Sequence, residues 1–232
     1  RDWSSDVCSS DLNYGAGSKA QVQRTVQLVL GMSAEPPESF VLMGWDGDEP
    51  PRPIAHDLKL GTHDDGLMDA AESAVVVEER ALATSADPTR ESVLLFAHGM
   101  GRDSEDQEVI QAMLGPAARL RQLGFARVEV ATLREDWDGR AHAEASARRF
   151  VTDEIGAGRD VLVLPFRLSG FGPYADVLEG LDYRAGEGLL PHPMIGRWVE
   201  TTAVRIACRS GWATPASTCT TLTAEADENP GH

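Results

Sequence analysis

Eight residues in this chain have side chains suited to a metal or acid–base site: His98, Arg102, Arg134, Glu135, Asp136, Arg167, Ser169 and His192. Imidazoles and carboxylates together can hold a borderline divalent ion such as Co, Ni, Fe or Zn. A carboxylate can equally orient an imidazole or take up protons. Arginines can pair bidentately with the carboxylates of a substrate. A plainer alternative stands beside each of these. Glu135 and Asp136 would serve the dipole of a following helix, and His98 and His192 would bond neighbouring backbone carbonyls.

What would bring these residues together is the order of elements. Glu91–Ala97 is a near-continuous apolar run that ends abruptly at His98-Gly99, the pattern of a strand buried on both faces. A helix over about Glu105 to Leu123 follows, with Val109, Ile110, Met113, Leu114, Ala117 and Leu120 on one face and Gly124 closing it. Val128–Leu133 reads as a second strand, about Ala141 to Ile155 as a second helix, and Asp160–Phe166 as a third strand. A short helix runs from Pro173 to Leu181, Tyr183–Leu190 is a fourth, shorter strand, and Pro193 opens a last helix. A further helix over 67–84 precedes them all. Strands alternating with helices of this length predict an α/β fold with a doubly wound, parallel four-stranded sheet flanked by helices. Chemistry in such sheets sits beyond the carboxyl ends of the strands, and each of the eight residues follows a strand.

The chain has 232 residues, enough to bury a proper core. Its net charge of -16 is spread along the sequence without a basic stripe, which argues against nucleic acid as a partner. A polyanionic small molecule is compatible with that charge if a few arginines line its pocket. There is no apolar stretch long enough to span a membrane. Cys8, Cys208 and Cys219 have neither zinc spacing nor the pattern of a disulfide framework, so the cytoplasm is the default compartment.

Residues 1–12 resemble the translation of a sequencing-library adapter and are set aside. Residues 13–64 hold a short Gly-rich turn (Gly15-Ala-Gly17), a helical pattern and a connector with a loop carrying His56, His63, Asp64 and Asp65. That loop reads as solvated, since no element fixes its spacing. Residues 65–208 form the complete α/β domain, and the Thr/Ala/Ser/acid-rich tail over 209–232 reads as disordered.

Leu94-Leu-Phe-Ala-His98-Gly99, Arg134-Glu-Asp136, Val161-Leu-Val-Leu-Pro165 with its Gly-rich loop, and Gly188-Leu-Leu-Pro-His192-Pro193 together resemble the class II chelatases. These are the sirohydrochlorin cobalto- and ferrochelatases of cobalamin and sirohaem synthesis, here in their long, internally duplicated form. The resemblance implies a chelatase-like half-domain over 65–208, with 13–64 a remnant of a preceding similar half that would pack against it. It implies metal insertion into a tetrapyrrole, with Co2+ as the first substrate metal, Fe2+ or Ni2+ as alternatives, and no organic cofactor. His98 would bind the metal and accept protons, with Glu135 and Asp136 assisting. His192 would be a second ligand, and Arg102, Arg134, Arg167 and Ser169 would bind substrate. One departure is plain: Pro173 stands where such proteins commonly carry a histidine.

Two rivals remain at this stage. One is a non-catalytic metal- or tetrapyrrole-binding relative. The other is an α/β hydrolase, disfavoured because no Gly-x-Ser-x-Gly elbow follows a strand.

Overall fold

Every residue of β1 (Glu91–Ala97) is buried, and this strand lies inside the sheet. In the computed structural model, which describes residues 66–135, 138–168, 170–212 and 219, the order is β2-β1-β3-β4. β2 is Arg127–Thr132, β3 is Asp160–Pro165 and β4 is Arg184–Ala185. All the pairings are parallel, with Leu95 opposite Val130 on one side and Leu164 on the other. The adapter-like segment, the expected remnant of a first half, and the His56/His63 loop lie outside the described residues. So do Asp136 and Ser169.

The helices are α1 (Ala71–Thr84), α2 (Asp103–Gln122), α3 (Arg140–Gly156), the four-residue α4 (Tyr174–Val177) and α5 (Pro193–Arg209). Alternation along the strands divides the core into two. Val93, Leu95 and Ala97 of β1, with Leu162 and Leu164 of β3, pack under α1, α2 and α5. Leu94 and Phe96, with Val161 and Val163, pack under α3 and α4. This is the doubly wound arrangement expected from the sequence. Among the described residues no helix is long and apolar enough to cross a membrane.

Two expectations are corrected. The fourth strand is two residues long instead of spanning Tyr183–Leu190. Past it the chain still follows β3, through Gly186 N–H to Val163 O (2.9 Å) and Leu189 N–H to Arg167 O (2.8 Å). At Gly188, however, a Cβ would lie 2.9 Å from Arg167 O, so the chain crosses there too closely for a ladder of ordinary side chains. The second correction is that Cys208 and Cys219 form a disulfide. The bond ties Cys219 covalently to α5, and the rest of the expected tail beyond Trp212 lies outside the described residues. Nothing in the spacing of the two cysteines signals that they pair.

Candidate functional site

β1 is flanked by β2 and β3, so the chain winds outward from it in opposite directions. The crevice at that reversal is where open α/β sheets place ligands. Hydrogen bonds extend the ladder past the strand ends: Leu133 N–H to Ala97 O (2.9 Å), Glu135 N–H to His98 O (3.4 Å) and Phe166 N–H to Phe96 O (2.7 Å). His98, Glu135 and Arg167 are thereby set side by side at one edge.

Their side chains meet. His98 Nδ1 lies 2.9 Å from Glu135 Oε2, and Glu135 Oε1 lies 3.7 Å from Arg167 Nη1. The His98–Glu135 contact has the distance of an ion pair without the angle of a hydrogen bond, since Nδ1 makes none. Arg167 is 3% exposed, unusual for an arginine. Its guanidinium carbon sits 5.7 Å from the ring centroid of Tyr174, within cation–π range. Tyr174 is fully buried and stacks on Phe96 at 4.4 Å between centroids. Burial pushes the Tyr174 hydroxyl far above its ordinary range; the Arg167 charge pulls it down and the Glu135 charge pushes it up, so the phenol stays protonated. Tyr174 escaped the sequence reading. An aromatic residue with a polar tip just after a Gly-Phe-Gly-Pro turn was the available signal.

The turns that aim these groups are costly and specific. Arg134 adopts φ +52°, a left-handed conformation uncommon for arginine, and this returns Glu135 toward His98. Its guanidinium spans the β1–α2 loop, bonding Met100 O (3.0 Å), Gly101 O and Asp103 Oδ1 (2.6 Å). Arg134 therefore braces the loop after His98. Asp106, buried in the first turn of α2, completes the brace by accepting from Met100 N–H (2.9 Å) and Thr132 Oγ1 (2.9 Å). Arg102 is exposed at the rim and paired with Glu105.

His192 is not part of this cluster. Its Nδ1 accepts from Met194 N–H (3.2 Å) at the start of α5, and its Nε2 lies 2.9 Å from Glu79 Oε2 on α1. Both of those helices cover the Val93/Leu95/Ala97 face. Tyr174, which joins the His98 cluster through Arg167, belongs to the Leu94/Phe96 face. The structure thus brings together His98, Glu135 and Arg167 and leaves His192 on the other side of the sheet. The physical reason is the pleat: His98 follows Ala97 and projects to the side opposite to it. Among the described residues no group of three His, Cys, Asp or Glu side chains could hold a metal ion. Of those residues, His98 and Glu135 are the two possible donors that meet at this edge.

Among solved structures the chain is similar to a multi-domain protein of Deinococcus radiodurans, described as structurally similar to chelatases and bearing two additional novel domains. The two are 19% identical with a TM-score of 0.36, and the match covers 57% of this chain and 28% of that one. No family model matches the sequence, and no curated relative does.

Proposed function

We propose that this chain inserts a divalent metal into sirohydrochlorin or a related tetrapyrrole, with Co2+ the first substrate metal and Fe2+ or Ni2+ the alternatives. The observation that carries this reading is the His98–Glu135 pair at the strand reversal, at 2.9 Å. Insertion exchanges one M2+ for two pyrrole N–H protons, with no change of oxidation state. An imidazole can deliver the metal and take up a proton, because it binds either near neutral pH. A carboxylate behind it orients the ring and passes the proton on.

A transfer site must also let go of its metal. Closed four-donor sites retain their ions as structural elements. A site with few protein donors, such as the His98–Glu135 pair among the described residues, leaves coordination positions for the pyrrole nitrogens. Of the three arginines assigned to substrate carboxylates, Arg102 is the exposed one, with a side chain 61% accessible. Its exposure supports assigning it to a bulky polyanion at the rim.

The test is to add sirohydrochlorin and Co2+ to the purified protein and follow the tetrapyrrole absorbance. His98→Ala is expected to lose about 100-fold or more of the rate. Equal rates for the variant and the wild type would remove His98 from the mechanism.

A second reading, a non-catalytic metal- or tetrapyrrole-binding relative, is favoured by Pro173. This residue supplies the backbone cap of α4 and cannot ligate a metal. Calorimetric binding of Co2+ without turnover would select it over insertion.

A further inference from the structure

We infer that Arg167 is a positioning residue, which holds the Glu135 carboxylate against His98 from a slot that Gly172 keeps open. The part concerning rate rests on the insertion reading; the part concerning geometry does not.

Three observations carry it. First, Arg167 is 3% exposed, so its guanidinium does not extend to a substrate outside the fold. Second, Glu135 Oε1 is its ion-pair partner among the described residues, at 3.7 Å, while the other oxygen of that carboxylate lies 2.9 Å from His98 Nδ1. One carboxylate therefore bridges a fixed cation and the imidazole. Burial of a charge is tolerated only with such a partner. Third, the guanidinium is boxed in by the Tyr174 ring on one side and the Gly172 backbone on another. A Cβ at position 172 would overlap Arg167 Nη1, and Gly172 has φ +57°, where any other residue is strained.

Two of the three guanidinium nitrogens of Arg167 are not held by hydrogen bonds. Its Nε and Nη1 are buried and make none, and neither do Glu135 Oε1 and the Tyr174 hydroxyl. At those two nitrogens it is shape and charge that confine the guanidinium: a ring face, a bare stretch of backbone and one carboxylate. A planar, permanently charged guanidinium suits such a slot better than a flexible ammonium. The arrangement also accounts for the spacing in the sequence. Phe166 packs into the α1/α2/α5 core, so Arg167 must turn to the other face, where Tyr174 waits.

The experiment reads His98 directly. The protein is labelled with 15N at its histidines, six in all, and His98 Nδ1 is assigned with His98→Asn. At one fixed pH, Glu135→Gln sets the resonance position expected when the carboxylate contact is lost. Arg167→Gln is expected to move Nδ1 in that same direction, Gly172→Ala likewise, and Arg167→Lys to fall between them and the wild type. Arg119→Gln, a change at an exposed ion pair with Glu78 on α1, is the control and should leave it in place. Thermal melts identify any variant that does not fold; if Arg167→Gln fails, Gly172→Ala carries the comparison with Arg167 itself intact. In the insertion assay Arg167→Gln should lower kcat about ten-fold or more with KM within about two-fold.

An unmoved Nδ1 resonance in Arg167→Gln, or in Gly172→Ala where the former does not fold, overturns the proposal. So does a raised KM at unchanged kcat, the signature of an arginine that binds substrate. If Nδ1 moves as expected while the wild type inserts no metal, positioning stands and the insertion reading falls.

Discussion

At Gly99 the backbone has φ +83°, and a Cβ would stand 2.7 Å from Asp106 Oδ1 and 2.8 Å from Thr132 Cβ. The residue after His98 is thus a glycine for two independent reasons, conformation and close approach. Gly99→Ala is expected to cost about 2–4 kcal/mol in urea unfolding, combining left-handed strain with overpacking. A cost within about 0.5 kcal/mol of zero, the range of neutral surface changes, would mean that the loop relaxes freely and that the Asp106 brace is not rigid. The same brace explains why Arg134 makes a poor candidate for a substrate contact: two loop carbonyls and Asp103 already take its donors.

At the amino ends of the strands, two buried carboxylates anchor whole elements. Burial raises the Glu91 pKa, but bonds from Ser85, the Ala86 and Asp87 amides and Arg184 outweigh it and hold it at about 2, against an ordinary 4.5. Glu154 on α3 is likewise held at about 2, chiefly by Arg159, against burial and with help from Ser92 and Arg127. A carboxyl with a lowered folded pKa stabilises the fold fully above its unfolded pKa and ceases to do so as pH falls through the folded one. Stability should therefore be lost between about pH 4.5 and 2. Glu154→Gln is expected to cost about 2 kcal/mol at neutral pH, mainly through its charged bonds to Ser92 and Arg159; Arg127 is half exposed and contributes less. The variant should also show a shallower decline of unfolding free energy below pH 4.5. An unchanged slope would place the acid sensitivity elsewhere. The elements themselves were largely legible: β1, β2 and β3 and the helices α2 and α3 announce themselves by period and by glycine stops. Pro116 lies inside α2 without ending it, because Val109, Met113, Ala117 and Leu120 bury one continuous face. The site was legible only in part. Strand ends are visible in a sequence, and they pointed to His98, Glu135 and Arg167. Which face each residue takes depends on pleat and register, and those separated His192 from the others. Tyr174 and Gly172 act through contacts across the fold; the Gly-Phe-Gly-Pro turn marks their place in the sequence but not their partner Arg167.

Across the whole molecule, the Cys208–Cys219 bond ties a residue beyond α5 back to that helix. Titration of thiols in denaturant should find one of the three cysteines reactive before reduction and all three after. Three reactive thiols at the outset would show the pair reduced. The result also bears on the compartment, because such bonds persist in oxidising surroundings and are rare in the cytoplasm.

The strand order has a further consequence for how the chain reaches this state. Among the described strands β1 is made first, yet its edge toward β3 stays unpaired by that strand until β3 emerges, with Phe96 waiting for Pro165. Pairings this far apart in sequence form late, and an apolar strand left open meanwhile is a template for other chains. During synthesis the segment that ends in His98 is therefore open to pairing with other chains, and the same residues that later seat the site are ones a nascent chain needs sheltered.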